Sequence, residues 1–132
     1  MNITDPIADM ITRIRNAGMV ELTTTNVPHS NLKEELARVL KESGYLQDYK
    51  AMEVDGRKQL RLFIKYQEDK TPVVSSIKRI SKCGRRVYYS HDKIPRILRG
   101  MGVIIMSTPK GLMTDHEARK IRQGGEALIS VW

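Results

Sequence analysis

The stretch that most constrains this chain is Met101-Gly102-Val103-Ile104-Ile105-Met106, its longest unbroken apolar run. Six residues are far fewer than the ~18 that a membrane-spanning helix needs. The run does not alternate, so an extended strand there is apolar on both faces and needs cover on both. Gly100 closes it on one side and Ser107-Thr108-Pro109-Lys110-Gly111 on the other. Thr114 to Arg122 then reads as one short helix, with Thr114 and Glu117 at capping-box spacing. Gly124-Gly125-Glu126 precedes a closing strand from Ala127 to Trp132. Two polar, low-bulk loops therefore flank one helix. Joint use of the Ser107 and Thr108 hydroxyls requires the strand to end near Ser107, because successive strand residues face opposite ways.

The rest of the chain supplies the cover. Thr4-Asp5-Pro6 opens a helix, with Asp5 as N-cap and Pro6 at the first helical position, where its missing N–H costs nothing. Ile7, Met10, Ile11 and Ile14 form one apolar stripe, and Gly18 is read as its stop. Val20 to Val27 suits a half-buried strand ended by Pro28. A second helix starts near Ser30 or Asn31, where Asn31 and Glu34 have capping-box spacing. Its buried stripe is Leu32, Leu36, Val39 and Leu40, and Gly44 ends it. Tyr45 to Val54 turns at Asp55-Gly56 into a strand alternating Leu60, Leu62, Ile64 and Tyr66. The polar stretch from Gln67 to Thr71, ended by Pro72, marks a boundary, giving domains 1–66 and 67–132. Val73 to Lys82 leans towards strand, followed by a Cys83-Gly84 turn into Arg86–Ser90. There Val87 and Tyr89 share one face, and Arg86, Tyr88 and Ser90 the other. Ile94, Ile97 and Leu98 suit one helical turn stopped by Gly100. The fold class is α+β in two small domains: helix–strand–helix–strand–strand, then a mostly antiparallel sheet with short helices.

Charge separates these halves. The chain carries 23 Lys and Arg against 15 Asp and Glu, a net charge of +8. Through Tyr66 there are 10 basic and 9 acidic residues, a net of +1; from Gln67 onward there are 13 and 6, a net of +7. A balanced half joined to a basic half points to a polyanionic partner. Enzyme signatures are missing. Gly100-Met101-Gly102 precedes a strand instead of following one, Lys110-Gly111 reverses the P-loop order, and His116-Glu117 lacks a second histidine at zinc spacing. The single cysteine, Cys83, allows neither an internal disulfide nor a cysteine-based zinc site. No catalytic residue, metal or cofactor is expected, and no leader or membrane segment is legible. The expected location is cytoplasmic.

Lys78, Arg79, Lys82, Arg85 and Arg86 gather around the predicted hairpin, with Tyr88 on the Arg86 face. Such groups neutralise phosphates and stack on unpaired bases. The alternative is a solvated hairpin whose charges guard an edge strand. Ser107 and Thr108 hydroxyls suit the 2′-OH and base edges of RNA. Gly124-Gly125 allows close backbone approach, and Glu126 can accept from an exocyclic amine or fix a neighbouring arginine.

Thr4-Asp5-Pro6-Ile7-Ala8-Asp9-Met10 and Thr12-Arg13-Ile14-Arg15-Asn16-Ala17 resemble the N-terminus of the bacterial small-subunit ribosomal protein S-eight family. Leu60–Tyr66, Lys78–Lys82, Ser107–Asp115, Glu117-Ala118-Arg119, Gly124-Gly125-Glu126 and Val131-Trp132 match it in order, over essentially the whole chain. The resemblance implies a primary rRNA-binding protein that docks on the central domain of small-subunit rRNA, beside neighbouring small-subunit proteins, and helps assembly. It implies RNA contacts at Ser107, Thr108, Lys110, Gly124, Gly125 and Glu126, with Tyr88 and Thr4, Asp5 and Pro6 as further contacts. Pro109 and Gly111 complete the first loop, and Arg86 the tyrosine face. Some family members also repress translation of their own operon mRNA, so an off-ribosome repressor is the alternative. The chain departs from the family pattern at Pro109, usually serine, at Cys83, usually proline, and at Arg122, usually small or glycine.

Overall fold

A computed structural model describes residues 5–132; Thr4, read as a contact, lies outside the described residues. The chain divides into two compact units, residues 6–75 and residues 76–132 with Asp5. The division falls beyond Gln67 because the 67–73 loop folds back on the first unit. Tyr66 bridges Pro72, and Val73 N–H donates to Lys65 C=O at 3.0 Å.

In the first unit, α1 (Pro6–Met19) and α2 (Asn31–Glu42) cover a sheet of order β1-β3-β2: β1 (Thr24–Pro28), β2 (Leu46–Val54) and β3 (Arg57–Ile64). The expected stripe Ile7, Met10, Ile11 and Ile14 is buried; α1 lies against β1 and β3, whose Val27, Leu60 and Leu62 are buried too. Gly18 does not stop α1. It sits inside the helix, where an added Cβ would lie 3.2 Å from Pro72 Cγ. The helix runs on to Met19 and is closed by left-handed Glu21, with φ 58°, while Leu22 N–H donates to Ala17 C=O at 2.9 Å. This pushes the start of β1 to Thr24. The N-cap of α2 is Ser30, whose Oγ accepts from Lys33 N–H at 3.1 Å. Glu34 accompanies His29 at 2.7 Å, so the Asn31–Glu34 box does not form. Leu32 is exposed, and Lys33 is buried in the first turn with its Nζ donating to Pro28 C=O.

In the second unit, β6 (Val103–Thr108) and β8 (Gly125–Val131) are central strands of a sheet ordered β4-β8-β6-β7. The outer strands are β4 (Ile77–Arg79), β5 (Tyr88–Tyr89) and β7 (Gly111–Thr114). As expected, Val103 to Met106 is buried throughout, although Met101 is exposed. The predicted hairpin between residues 73–82 and 86–90 is replaced by a single interrupted edge. Both β4 and β5 pair antiparallel with the same side of β8: Arg79 opposite Ile129, Tyr88 opposite Glu126. Between them residues 82–86 loop out, held by mutual Lys82–Arg85 backbone bonds of 2.9 Å. The Ile97–Gly100 segment is a 3₁₀ turn with left-handed Leu98 (φ 47°) and Arg99 (φ 57°), which leaves Leu98 exposed.

The helix between the two loops, α3, spans Asp115–Lys120, with Thr114 as N-cap. Arg122 (φ 55°) takes the left-handed position after it, and Gln123 N–H closes the end on Ala118 C=O at 2.8 Å. Ala118 packs with Ile94, Ile104, Met106, Met113 and Ala127, flanked by Val87 and Tyr89. The fully buried Asp115 fastens this layer. Its Oδ1 accepts from Ile104 N–H at 2.9 Å, and its Oδ2 lies 2.8 Å from Arg119 Nη1. Arg119 Nη2 also donates to Pro95 C=O at 2.7 Å.

Candidate nucleic-acid interface

Strand register assembles the candidate residues. Glu126 lies opposite Tyr88 of β5 on one side and opposite Ser107 of β6 on the other. Directly opposed residues of antiparallel strands share a face, so Tyr88, Glu126 and Ser107 form one row across three strands. Leu112 of β7, opposite Ser107, extends it. The adjoining row of Met106, Ala127 and Met113 faces the core. The core thus fixes which side the polar row presents. Tyr88 is 67% exposed, while Ser107 and Glu126 are half-buried.

The Ser107–Gly111 stretch is a hairpin, so β6 runs on through Thr108 instead of ending near Ser107. Thr108 opposes Gly111, leaving Pro109 and Lys110 as the exposed tip. Thr108 is 9% exposed, and its hydroxyl works inside the turn: Oγ1 donates to Gly111 C=O at 2.8 Å and accepts from Lys110 N–H at 3.1 Å. Ser107 and Thr108 therefore do not present a joint surface. Ser107 belongs to the row, and Thr108 shapes the tip. Pro109 suits the second position of a β-turn because its ring presets φ there. Gly111 has φ 108°, closed to most side chains.

The glycine pair is approached closely, by the chain itself. A Cβ on Gly124 would stand 2.6 Å from Tyr89 C=O, and one on Gly125 would overlap Ser107 C=O. Both glycines let β5 and β6 close on β8, and β8 begins at Gly125 instead of Ala127.

Glu126 is braced. Its Oε2 accepts from Ser81 Oγ at 2.5 Å and from Arg86 Nη1 at 3.1 Å. The Arg86 hydrogen bond to this carboxylate, reinforced by its charge, raises the guanidinium pKa. Arg86 Nη2 also lies 3.9 Å from the exposed Cys83 Sγ. Composition alone gave no hint of Ser81. It is the lone hydroxyl among Lys78, Arg79 and Lys82, fully buried, and a second bond from Val87 N–H at 3.2 Å ties it across the loop-out. The five basic residues of the predicted hairpin differ in availability. Arg79 is held inside the unit, donating to Asp5 Oδ2 at 3.1 Å and Leu128 C=O at 2.7 Å. Lys78 Nζ sits 5.5 Å over the Trp132 ring. Lys82 and Arg85 stand exposed on the loop-out. Asp5 is thus engaged by Arg79, while Pro6 is the exposed first residue of α1.

The fold and site define a basic α+β protein of two units, with a partly exposed polar row whose Glu126 is braced by Ser81 and Arg86. Residues 5–132 match the family model described as Ribosomal protein S8. The chain is 52% identical to "Small ribosomal subunit protein uS8" of Geobacter sulfurreducens, with both chains fully covered. It is 49% identical to the protein of that name from Halothermothrix orenii, again over the full length of both. With the Sorangium cellulosum protein it shares 45% identity over 130 residues, 98% of this chain and 99% of that one. The chain belongs to the ribosomal protein S8 family. Among the described residues, no helix is long and apolar enough to cross a membrane.

Proposed function

We propose that this protein is a structural component of the small ribosomal subunit that binds the central domain of small-subunit rRNA and helps the subunit assemble. The observation that carries the reading is the row Tyr88–Glu126–Ser107 beside the Pro109-Lys110 tip, in a chain of this family. The exposed tyrosine offers a stacking surface, Ser107 a hydroxyl that donates and accepts, and Glu126 an acceptor. Lys82, Arg85 and Lys110 offer exposed charge to phosphates. Phosphate contacts position a protein, and base and ribose contacts give it preference. Thr108, Pro109, Gly111, Gly124 and Gly125 support this surface by shape, and Arg86 by holding Glu126.

The test is sedimentation of a lysate containing tagged protein through a sucrose gradient. The protein is expected with small subunits at low salt. A protein that stays at the top of a low-salt gradient, while small subunits are intact, contradicts the proposal.

A further inference from the structure

Three features lie outside the row: the exposed Leu98–Met101 turn, the cleft lined by Glu21, Thr23, Tyr66 and Lys70, and the buried hydroxyl of Ser81. Only the last is bonded to a residue of the candidate site. Resting on the RNA-binding reading above, we propose that Ser81 is a positioning residue that sets the Glu126 carboxylate to accept a hydrogen bond from RNA.

Ser81 has no access to a ligand, being 0% exposed. Its Oγ accepts from Val87 N–H at 3.2 Å, which orients its own proton towards Glu126 Oε2 at 2.5 Å. A hydroxyl has one proton, so the Val87 bond fixes the direction in which Ser81 donates. Arg86 Nη1 reaches the same oxygen at 3.1 Å. One carboxylate oxygen thus holds two donors, and among the described residues none bonds Oε1, which is left to accept a donor from outside. The side chain of Glu126 is 17% exposed, so the carboxylate is reachable yet mostly shielded from water. A preset acceptor in that setting favours a ligand that brings a donor, and penalises one that leaves the carboxylate dry and unanswered. On RNA such donors are the exocyclic amines of bases and the ribose 2′-OH. The bracing also explains the looped-out 82–86 segment. Ser81 and Val87 stand at its two ends, Ser81 donating to the carboxylate oxygen and Val87 N–H donating to Ser81 Oγ. The site of acceptance and the exposed cations Lys82 and Arg85 are therefore built as one piece.

The test is a binding titration of the full chain at fixed salt against a fragment of the small-subunit rRNA central domain and against a scrambled duplex. Ser81→Ala is expected to lower the preference for the fragment about tenfold, the scale of one hydrogen bond to a charged group. In a Glu126→Ala background the same change is expected to lower it no further. Equal losses on both RNAs, or a full extra loss in the Glu126→Ala background, would make Ser81 merely structural and overturn the proposal. Glu126→Gln covers the case in which Ser81→Ala does not fold. Its amide oxygen satisfies Ser81 and Arg86, which puts an NH₂ donor where the free oxygen was, so preference is expected to fall with the fold intact. Retained preference overturns the proposal. A fragment with 2′-deoxyribose at each position in turn assigns the donor. Loss at one position that Glu126→Gln no longer registers identifies a 2′-OH, and an unchanged scan alongside a Glu126-dependent preference identifies a base amine. A wild-type chain that shows no preference at all defeats the RNA-binding reading, whereas preference kept by Ser81→Ala defeats only the role of Ser81.

Discussion

Replacing Asp115 with alanine tests how the helix between the two loops is held. The carboxylate is fully buried, accepts from Ile104 N–H at 2.9 Å and meets Arg119 at 2.8 Å. Removing one partner of a buried ion pair costs about 3–5 kcal/mol, because the other charge stays in a low-dielectric setting. The Ile104 N–H loses its acceptor in the middle of the apolar strand, which alone costs about 1–3 kcal/mol. The two losses share one site and do not add in full, so a total of about 4 kcal/mol is expected. That is a large part of the roughly 5–15 kcal/mol by which domains are stable. Urea unfolding followed by circular dichroism measures it. Asp115→Asn, which keeps an oxygen for Ile104 but gives up the charge, should lie between wild type and Asp115→Ala. The double variant Asp115→Ala/Arg119→Met should recover part of the loss, since the stranded cation is gone. An Asp115→Ala protein within about 1 kcal/mol of wild type, on the same scale, would refute the claim that this pair fastens α3.

Two further substitutions read the backbone and the pH response. Arg122→Gly should stabilise by roughly 0.5–1 kcal/mol in the same assay, because a side chain at φ 55° carries a cost that glycine avoids; a loss of stability would contradict that assignment. Lys33 is buried, and desolvation lowers its pKa from 10.5, with the charge of Asp9 opposing and that of Arg13 assisting. In the window just below 10.5 the unfolded chain then binds more protons than the folded one, so stability rises with pH there. The neutral amine still donates to Pro28 C=O. Against Lys33→Met, wild type should gain stability as pH is raised through that window, and a gap that stays flat or reverses would count against burial as the cause.

Period and punctuation made the helices, the strands of the first unit and the buried central strand legible. Isolated residue types misled where a neighbour decided their use. Gly18 reads as a stop until Pro72 is seen pressing on it from a loop distant in sequence. Leu32 reads as core, but Ser30 rather than Asn31 caps the helix, and Lys33 with its long apolar stem fills the first turn. The basic segment around Cys83 carries a turn signal that suggests a hairpin. Only the long-range partner β8 shows that its two arms lie end to end on one strand. For the candidate site, Ser107, Glu126 and Tyr88 could be named individually, yet their alignment depends on register among three strands far apart in sequence. The Thr108 hydroxyl reads as a contact in the sequence, and the hairpin turns that hydroxyl inward. Ser81 carried no signal of its own, because a buried serine becomes visible only through the carboxylate it meets.

The most direct measurement of the central claim is the salt dependence of binding to the rRNA central-domain fragment and to a scrambled duplex, for wild type, Ser107→Ala and Lys110→Ala. Wild type is expected to prefer the fragment, with log affinity falling against log salt at a slope of about −0.7 to −0.9 per neutralised phosphate. Ser107→Ala should reduce the preference with the slope unchanged, and Lys110→Ala should weaken binding to both RNAs and make the slope shallower. Equal binding of fragment and duplex by wild type, or equal loss on both RNAs from Ser107→Ala, would contradict it.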